Sequence, residues 1–389
     1  MRVLLMPASY APVLGGLQTA VHSLARGLAQ RGHTVKVITN RHPRSLPRHE
    51  QVDGVDVERL YLLSPRLADL RRGRLDIFAA SLLLWPTTLL TLLRRVREFQ
   101  PDVINVHFPD NQLAFLPALR RQFKFRLVVS IHGHELLRYV NEPGYGEAPT
   151  RTRPVALCKL LREADAVTAC SSWMLEKAIS LEPGVAGHGR VIYNGVDLGR
   201  FSDRSAFHYP RPYAFAYGRL THAKGFDLLV AAFARVAGDI PEMDLILAGA
   251  GEARRSLENL AETLGLGNRV LFWGRATSDE IVQLLNGCQF VVIPSRVEPF
   301  GIVALETLAA GKPLLATRVG GLAEIVQLAD QQGYPARLVA ATADEIARGL
   351  TEFHRSENSI IRIPATIGKM FSWEQNVEQF QALYEEPDA

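Results

Sequence analysis

Short apolar runs alternate with longer stretches of helical periodicity along nearly the whole chain. In the first half the runs fall at Arg2–Pro7, Val35–Thr39, Val103–His107, Arg126–His132, Ala166–Cys170 and Val191–Tyr193. Between them, apolar positions recur at helical spacing over Leu17–Arg31, near Asp76–Phe99 and over Ser172–Ser180. Continuous apolar strands separated by helices predict a mostly parallel sheet covered on both faces. After Asp197 the rhythm restarts, with strands at Tyr213–Tyr217, Asp244–Ala248, Val270–Trp273, Phe290–Pro294 and Leu314–Thr317. Helices are predicted between these at Phe226–Ala237, Glu252–Leu264, Ser278–Asn286 and Ile302–Ala310. Leu198 to Arg211 reads as the linker, closing near Pro210 and Pro212. The fold class is therefore α/β, as two doubly wound Rossmann-like domains with a ligand cleft between their strand C-termini. A last helical stretch runs from Phe371 to Glu386, with Trp373, Val377, Phe380 and Tyr384 on one face.

Composition agrees with this picture. A chain of 389 residues exceeds the size at which one core keeps growing. With 47% hydrophobic and 22% charged residues it is globular rather than disordered. Its net charge of 44 − 40 = +4 is mildly basic. That is no nucleic-acid footprint, although arginines cluster at Arg71, Arg72, Arg74 and at Arg94, Arg95, Arg97. Cys158, Cys170 and Cys288 sit beside apolar neighbours without metal spacing, and read as buried thiols in a reducing compartment. The N-terminal MRVLLMPASY reads as a first strand rather than a signal peptide.

One segment stands apart. Ile77 to Leu93 carries no charge over 17 residues and has Pro86 at its centre. A buried crossover helix pair is expected there in preference to a membrane span. The basic flanks and the leucines around Arg66 to Leu75 also suit contact with an anionic membrane face.

The densest chemistry lies in VVIPSRVEPFGIVALETLAAGKPLLATRVG, residues 291–320. A strand ends at Pro294, a loop carries Glu298, and Gly301 opens a helix that carries Glu306. The amides of Phe300, Gly301, Ile302 and Val303 are expected free at the helix N-terminus, a ready site for a diphosphate. Two acceptor-only carboxylates flanking it suit a ligand rich in hydroxyls. Upstream, YGRLTHAKGFDLL places Gly218, Arg219 and Lys224 just after a strand, where two cations can neutralise a departing diphosphate. Gly15 and Gly16 let backbone approach a ligand at the start of a helix. They do not form a Gly-x-Gly-x-x-Gly fingerprint, so no nicotinamide cofactor is indicated. Gly249 and Gly251 form a further strand–helix turn, and Gly274 and Arg275 end another strand. His132 ends the strand RLVVSIH, where it either meets a sugar or only orders its loop. His134 and Glu135 are nearby and ambiguous, and His107 and Asp110 are candidates for the acceptor side. No Asp-x-Asp motif or His/Cys cluster suggests a metal, so leaving-group charge falls to Arg219, Lys224 and helix amides.

The pattern Glu-Pro-Phe-Gly-x4-Glu-x2-Ala-x-Gly-x-Pro, together with Gly-Arg-Leu-x3-Lys-Gly, resembles the retaining glycosyltransferases of family 4, which have the GT-B fold. The resemblance covers nearly the full chain, densely in the second half and sparsely between residues 40 and 100. It implies an acceptor domain at 1–200, a donor domain at 201–371, and a helix at about 372–389 crossing back onto the first. By resemblance Glu298 faces the transferred sugar, Glu306 the ribose, Gly15 and Gly16 the donor phosphates, and Gly249 and Gly251 the nucleotide. Arg275 falls at the nucleobase, His132 contacts the sugar, and Ser171, Asn194 and Asp197 hold turns and caps. The implied reaction moves a hexose from a nucleoside-diphosphate sugar, UDP before GDP, to a sugar, lipid-linked or other hydroxyl. It proceeds with retention and without a bound cofactor or metal. A cytoplasmic enzyme is expected, in contact with the membrane at most peripherally, in cell-envelope glycolipid or polysaccharide synthesis. The alternatives are a sugar-nucleotide epimerase, an α-glucan synthase, against which the first loop lacks the Lys of Lys-Thr-Gly-Gly, and a non-catalytic scaffold of the same fold.

Overall fold

The computed structural model describes residues 1–12, 15–65, 73–142, 144–145, 154–202, 205–355 and 361–387. The basic residues Arg71 and Arg72 and the stretch from Arg66 to Leu70 lie outside these. The chain divides into two compact units, with the division between Ile192 and Tyr193. The first unit also takes in Asn376 onward, so the last helix, Trp373–Glu385, starts in one unit and continues into the other.

The first unit is one sheet of eight strands: β1 (Arg2–Pro7), β2 (Thr34–Asn40), β3 (His49–Val52), β4 (Val55–Leu60), β5 (Val103–His107), β6 (Arg126–Ile131), β7 (Ala166–Ala169) and β8 (Gly189–Val191). Their spatial order is β3-β4-β2-β1-β5-β6-β7-β8, parallel except where β3 pairs antiparallel with β4. The central strands are apolar runs buried on both faces, as a doubly covered parallel sheet demands. The β3–β4 hairpin was not among the expected strands. It turns at Asp53 and Gly54, with φ of 48° and 81°, the Asp-Gly signature of a tight hairpin. Val377, Phe380, Leu383 and Tyr384 of the last helix join the core of this unit, and Tyr384 Oη accepts a bond of 2.7 Å from buried Asn105.

The second unit carries six parallel strands: β9 (Tyr213–Tyr217), β10 (Asp244–Ala248), β11 (Val270–Gly274), β12 (Phe290–Ile293), β13 (Leu314–Thr317) and β14 (Ala336–Val339). Their order is β11-β10-β9-β12-β13-β14. In both sheets the order runs outward one way from a central strand and then restarts beside it. The crevices form at these reversals, between β1 and β5 and between β9 and β12. The three cysteines are buried.

The crossover segment departs from expectation. A buried helix pair was predicted, but Leu75–Phe99 is one helix that continues through Pro86, and it is mostly exposed. Ser81, Thr88, Leu92 and Val96 form its buried face, and Thr88 donates to the Tyr61 carbonyl at 3.1 Å. Leu75, Leu82, Leu83 and Leu90 face outward, Leu83 at 78% exposure. The buried face is thus polar in its first half, at Ser81 and Thr88, and apolar in its second, at Leu92 and Val96.

Candidate functional site

The sequence-selected residues of the second unit lie at the C-terminal ends of four neighbouring strands. Arg275 follows β11, Gly249 and Gly251 follow β10, Gly218, Arg219 and Lys224 follow β9, and Glu298 to Val303 follow β12. Adjacent loops are stitched by backbone bonds: Gly218 N–H to Ala248 O at 3.0 Å, Leu220 N–H to Ala250 O at 3.0 Å and Gly249 N–H to Gly274 O at 2.7 Å. Across the β9–β12 crevice the two loops touch. Gly225 has φ of 66°, and a Cβ there would lie 2.0 Å from the Pro294 carbonyl oxygen. The Arg296 and Val297 amides reach the Ala223 carbonyl, at 2.8 and 3.2 Å. Arg296 also grips Asp227 through two nitrogens, at 2.7 and 2.6 Å. This clamp was invisible in the motif, since Asp227 and Arg296 are 69 residues apart.

On this rigid floor Lys224 Nζ donates to the buried carboxylate of Glu298. Gly301, with φ of 105°, caps the helix Ile302–Ala309. Among the described residues no backbone carbonyl accepts from the amides of Phe300, Gly301, Ile302 or Val303. The Phe300 side chain is buried beside Tyr193 and Phe371, so its backbone alone can reach a ligand. Glu306 lies on the second turn. Tyr217 Oη donates to one of its oxygens at 2.6 Å, and Arg200 approaches the other at 3.4 Å. Burial raises the Glu306 carboxyl, while Tyr217 and Arg200 act against that rise. Burial and the neighbouring carboxylate hold Tyr217 well above its usual value, so it stays a neutral donor. Sequence reasoning missed both partners of Glu306. The position of Tyr217 just before the Gly-Arg-Leu motif was the available signal. Arg219 and Arg275 are exposed.

In the first unit the candidates also gather where neighbouring strands end. Gly15 and Gly16 follow β1, His107 ends β5 and Asp110 follows it, and His132 and His134 follow β6. His107 Nδ1 and His132 Nε2 are 3.1 Å apart. Phe108, with an unusual positive φ of 54°, stacks on His134 at 6.2 Å. Asp110 Oδ1 lies 3.5 Å from Arg138. Glu135, left ambiguous in the sequence, has a clear task here. Its fully buried carboxylate accepts the backbone N–H groups of His132 and of Gly133, the latter at 3.0 Å. Burial raises its pKa to about 7. Among the described residues no three His, Cys, Asp or Glu side chains gather as a metal site.

Two doubly wound sheets of this order, with chemistry at their strand ends, define the GT-B class. Sucrose-phosphate synthase from Thermosynechococcus elongatus has a similar structure over 98% of both chains, with a TM-score of 0.75 at 24% identity. Residues 14–200 match Glycosyltransferase Family 4 and residues 200–363 match Glycosyl transferases group 1. An uncharacterized glycosyltransferase of Methanocaldococcus jannaschii is 29% identical over 349 residues, 84% of this chain and 83% of the relative. A glycogen synthase of Mycobacterium tuberculosis is 30% identical over 346 residues, 84% of this chain and 80% of the relative. The chain belongs to glycosyltransferase family 4, and it is a transferase enzyme.

Proposed function

We propose that this glycosyltransferase moves a hexose from a nucleoside-diphosphate sugar, UDP-linked in preference to GDP-linked, to an acceptor hydroxyl with retention at the anomeric carbon. The observation that carries the reading is the row Lys224, Glu298, open helix amides and Glu306 along one crevice. A cation and amide dipoles there suit a diphosphate, and the two carboxylates suit the hydroxyls on either side of it. Arg219 and Lys224 take the leaving charge, Glu298 the sugar, Glu306 the ribose, Arg275 the base, and the Gly218, Gly249 and Gly251 loops the nucleotide. His132 meets the transferred sugar, and Gly15 and Gly16 approach the phosphates. Asp110 and His134 belong to the acceptor side, whereas His107 is too deeply buried to meet an acceptor itself.

No side chain is assigned as nucleophile. The bond from the anomeric carbon to phosphate breaks on the face where the acceptor oxygen bonds, and the departing phosphate oxygen takes the acceptor proton. Such a step needs no divalent cation.

The acceptor belongs to cell-envelope glycolipid or polysaccharide synthesis, and the enzyme works at the cytoplasmic face. The exposed leucines of the Leu75–Phe99 helix, continued by exposed Arg94 and Arg97, support docking on an anionic bilayer. Absence of binding to anionic liposomes at low salt would refute that part. A second reading, extension of an α-glucan, is favoured by the 30% identity to a glycogen synthase.

A thermal-shift panel of UDP, GDP and ADP with their sugar conjugates, in EDTA and again in magnesium, tests these readings together. A shift with a UDP-hexose in EDTA supports the first, and one with ADP-glucose alone the second. No shift with any nucleotide on folded protein overturns both.

A further inference from the structure

A buried and a half-buried imidazole meet where β5 and β6 end. Their rings stack with centroids 5.4 Å apart and planes 28° apart, and His107 Nδ1 faces His132 Nε2 at 3.1 Å. His107 is only 2% exposed, with Phe380 6.1 Å from its ring. Its other nitrogen, Nε2, is buried without a hydrogen-bond partner among the described residues. His132 is more open, and its Nδ1 is the nitrogen not shared with His107.

A single proton lies between the facing nitrogens. Were His132 to supply it, neutral His107 would carry its own proton on Nε2, as a buried N–H with no acceptor. Were His107 to supply it, Nε2 would be a bare lone pair. Orphaned buried donors are the rarer and costlier case, so the second arrangement is favoured. His132 then accepts at Nε2, and as a neutral ring must hold its proton at Nδ1. The surroundings keep both rings neutral: burial lowers His107 well below the usual value and His132 to about 4. Glu135 meets the backbone of this loop, and the charge of Arg138 acts on Glu135.

We infer that His107 is a positioning residue, fixing His132 in the Nδ1–H tautomer so that it offers a hydrogen-bond donor to a hydroxyl of the transferred sugar. This rests on the reading above that His132 meets that sugar. It makes His107 a support for His132 and not a contact of the acceptor.

Two-bond proton–nitrogen correlation spectra of the full chain labelled at histidine nitrogens read the tautomers directly. Both rings protonated at Nδ1 is the expected result, and a proton on His132 Nε2 overturns the inference. Kinetics supply the second arm, through nucleoside diphosphate release from UDP-glucose or ADP-glucose. His107→Leu should lower kcat between about tenfold and a hundredfold, with the donor KM little changed. His107→Asn, whose amide can donate from near the Nδ1 position, should recover most of the loss. Equal losses in Leu and Asn variants of unchanged melting temperature overturn the inference alone. Unchanged turnover in His132→Ala removes the underlying reading, and the inference with it.

Discussion

Lys224 Nζ hydrogen-bonds the carboxylate of Glu298, joining the loop after β9 to the loop after β12 across the crevice of the second sheet. Both side chains are mostly shielded, at 23% and 10% exposure, so neither is an ordinary surface ion. A donor diphosphate entering here would share Lys224 with Glu298. Replacing Lys224 by Ala should remove one charge stabiliser and cost about 2–4 kcal/mol of transition-state stabilisation, read as kcat/KM. Near-normal turnover in a folded Lys224→Ala variant would take the pair out of the site.

Tyr217 donates to Glu306 at 2.6 Å from a side chain that burial keeps neutral. Tyr217→Phe removes the bond while keeping the ring. Because the acceptor is a carboxylate, the bond itself contributes about 1.5–3 kcal/mol to stability, and its loss should also weaken nucleotide affinity, measured by calorimetry with the diphosphate that the panel selects. Glu306→Ala should weaken the same affinity at least as much. An unchanged dissociation constant in both variants would place the ribose elsewhere.

Gly225 tests the floor rather than the chemistry. A methyl group there meets the Pro294 carbonyl at 2.0 Å, on a backbone with φ of 66° that L side chains rarely adopt. Gly225→Ala should destabilise the protein by more than about 2 kcal/mol, seen as a lower urea midpoint. A midpoint equal to wild type would show that the two loops can separate freely.

The histidine edge sets a pH dependence with two opposed arms. His132 is held near a pKa of about 4, against 6.5 for a free imidazole, and His107 is lowered in the same direction. Between about 4 and 6.5 the unfolded chain binds protons that the folded chain refuses, so stability falls as pH drops through that window. For His132 the loss over that window is about 3 kcal/mol. Glu135, raised from 4.5 to about 7, behaves oppositely: the folded chain keeps a proton that the unfolded chain has lost, and stability falls as pH rises through that range. Urea midpoints across pH 4 to 8 should show a flatter acid arm in His132→Asn and a flatter neutral arm in Glu135→Gln. The same acid arm in His132→Asn and wild type would contradict the assignment.

Much of this protein is determined by the sequence alone, because central parallel strands and their ligand loops are local features. Val103–His107, Tyr213–Tyr217, Asp244–Ala248 and Leu314–Thr317 are strands with the predicted ends, since each is a continuous apolar run closed by turn residues. The Glu298–Glu306 motif is legible for the same reason, with loop, helix start and both carboxylates within nine consecutive residues. Polar edge strands are not legible this way. His49–Val52 lacks an apolar run, and only the Asp53–Gly54 turn announces it, while Arg337 interrupts the short strand Ala336–Val339. Nor can periodicity say which side of Leu75–Phe99 meets the sheet: apolar residues surround that helix, and packing chose its Ser81 and Thr88 face. Tertiary structure alone decided the partners. Tyr217 finds Glu306 from 89 residues away and His107 finds His132 from 25, because strand order brings their ends together. Sequence spacing carries local geometry, whereas a hydrogen bond between distant strands exists only once the sheets are assembled.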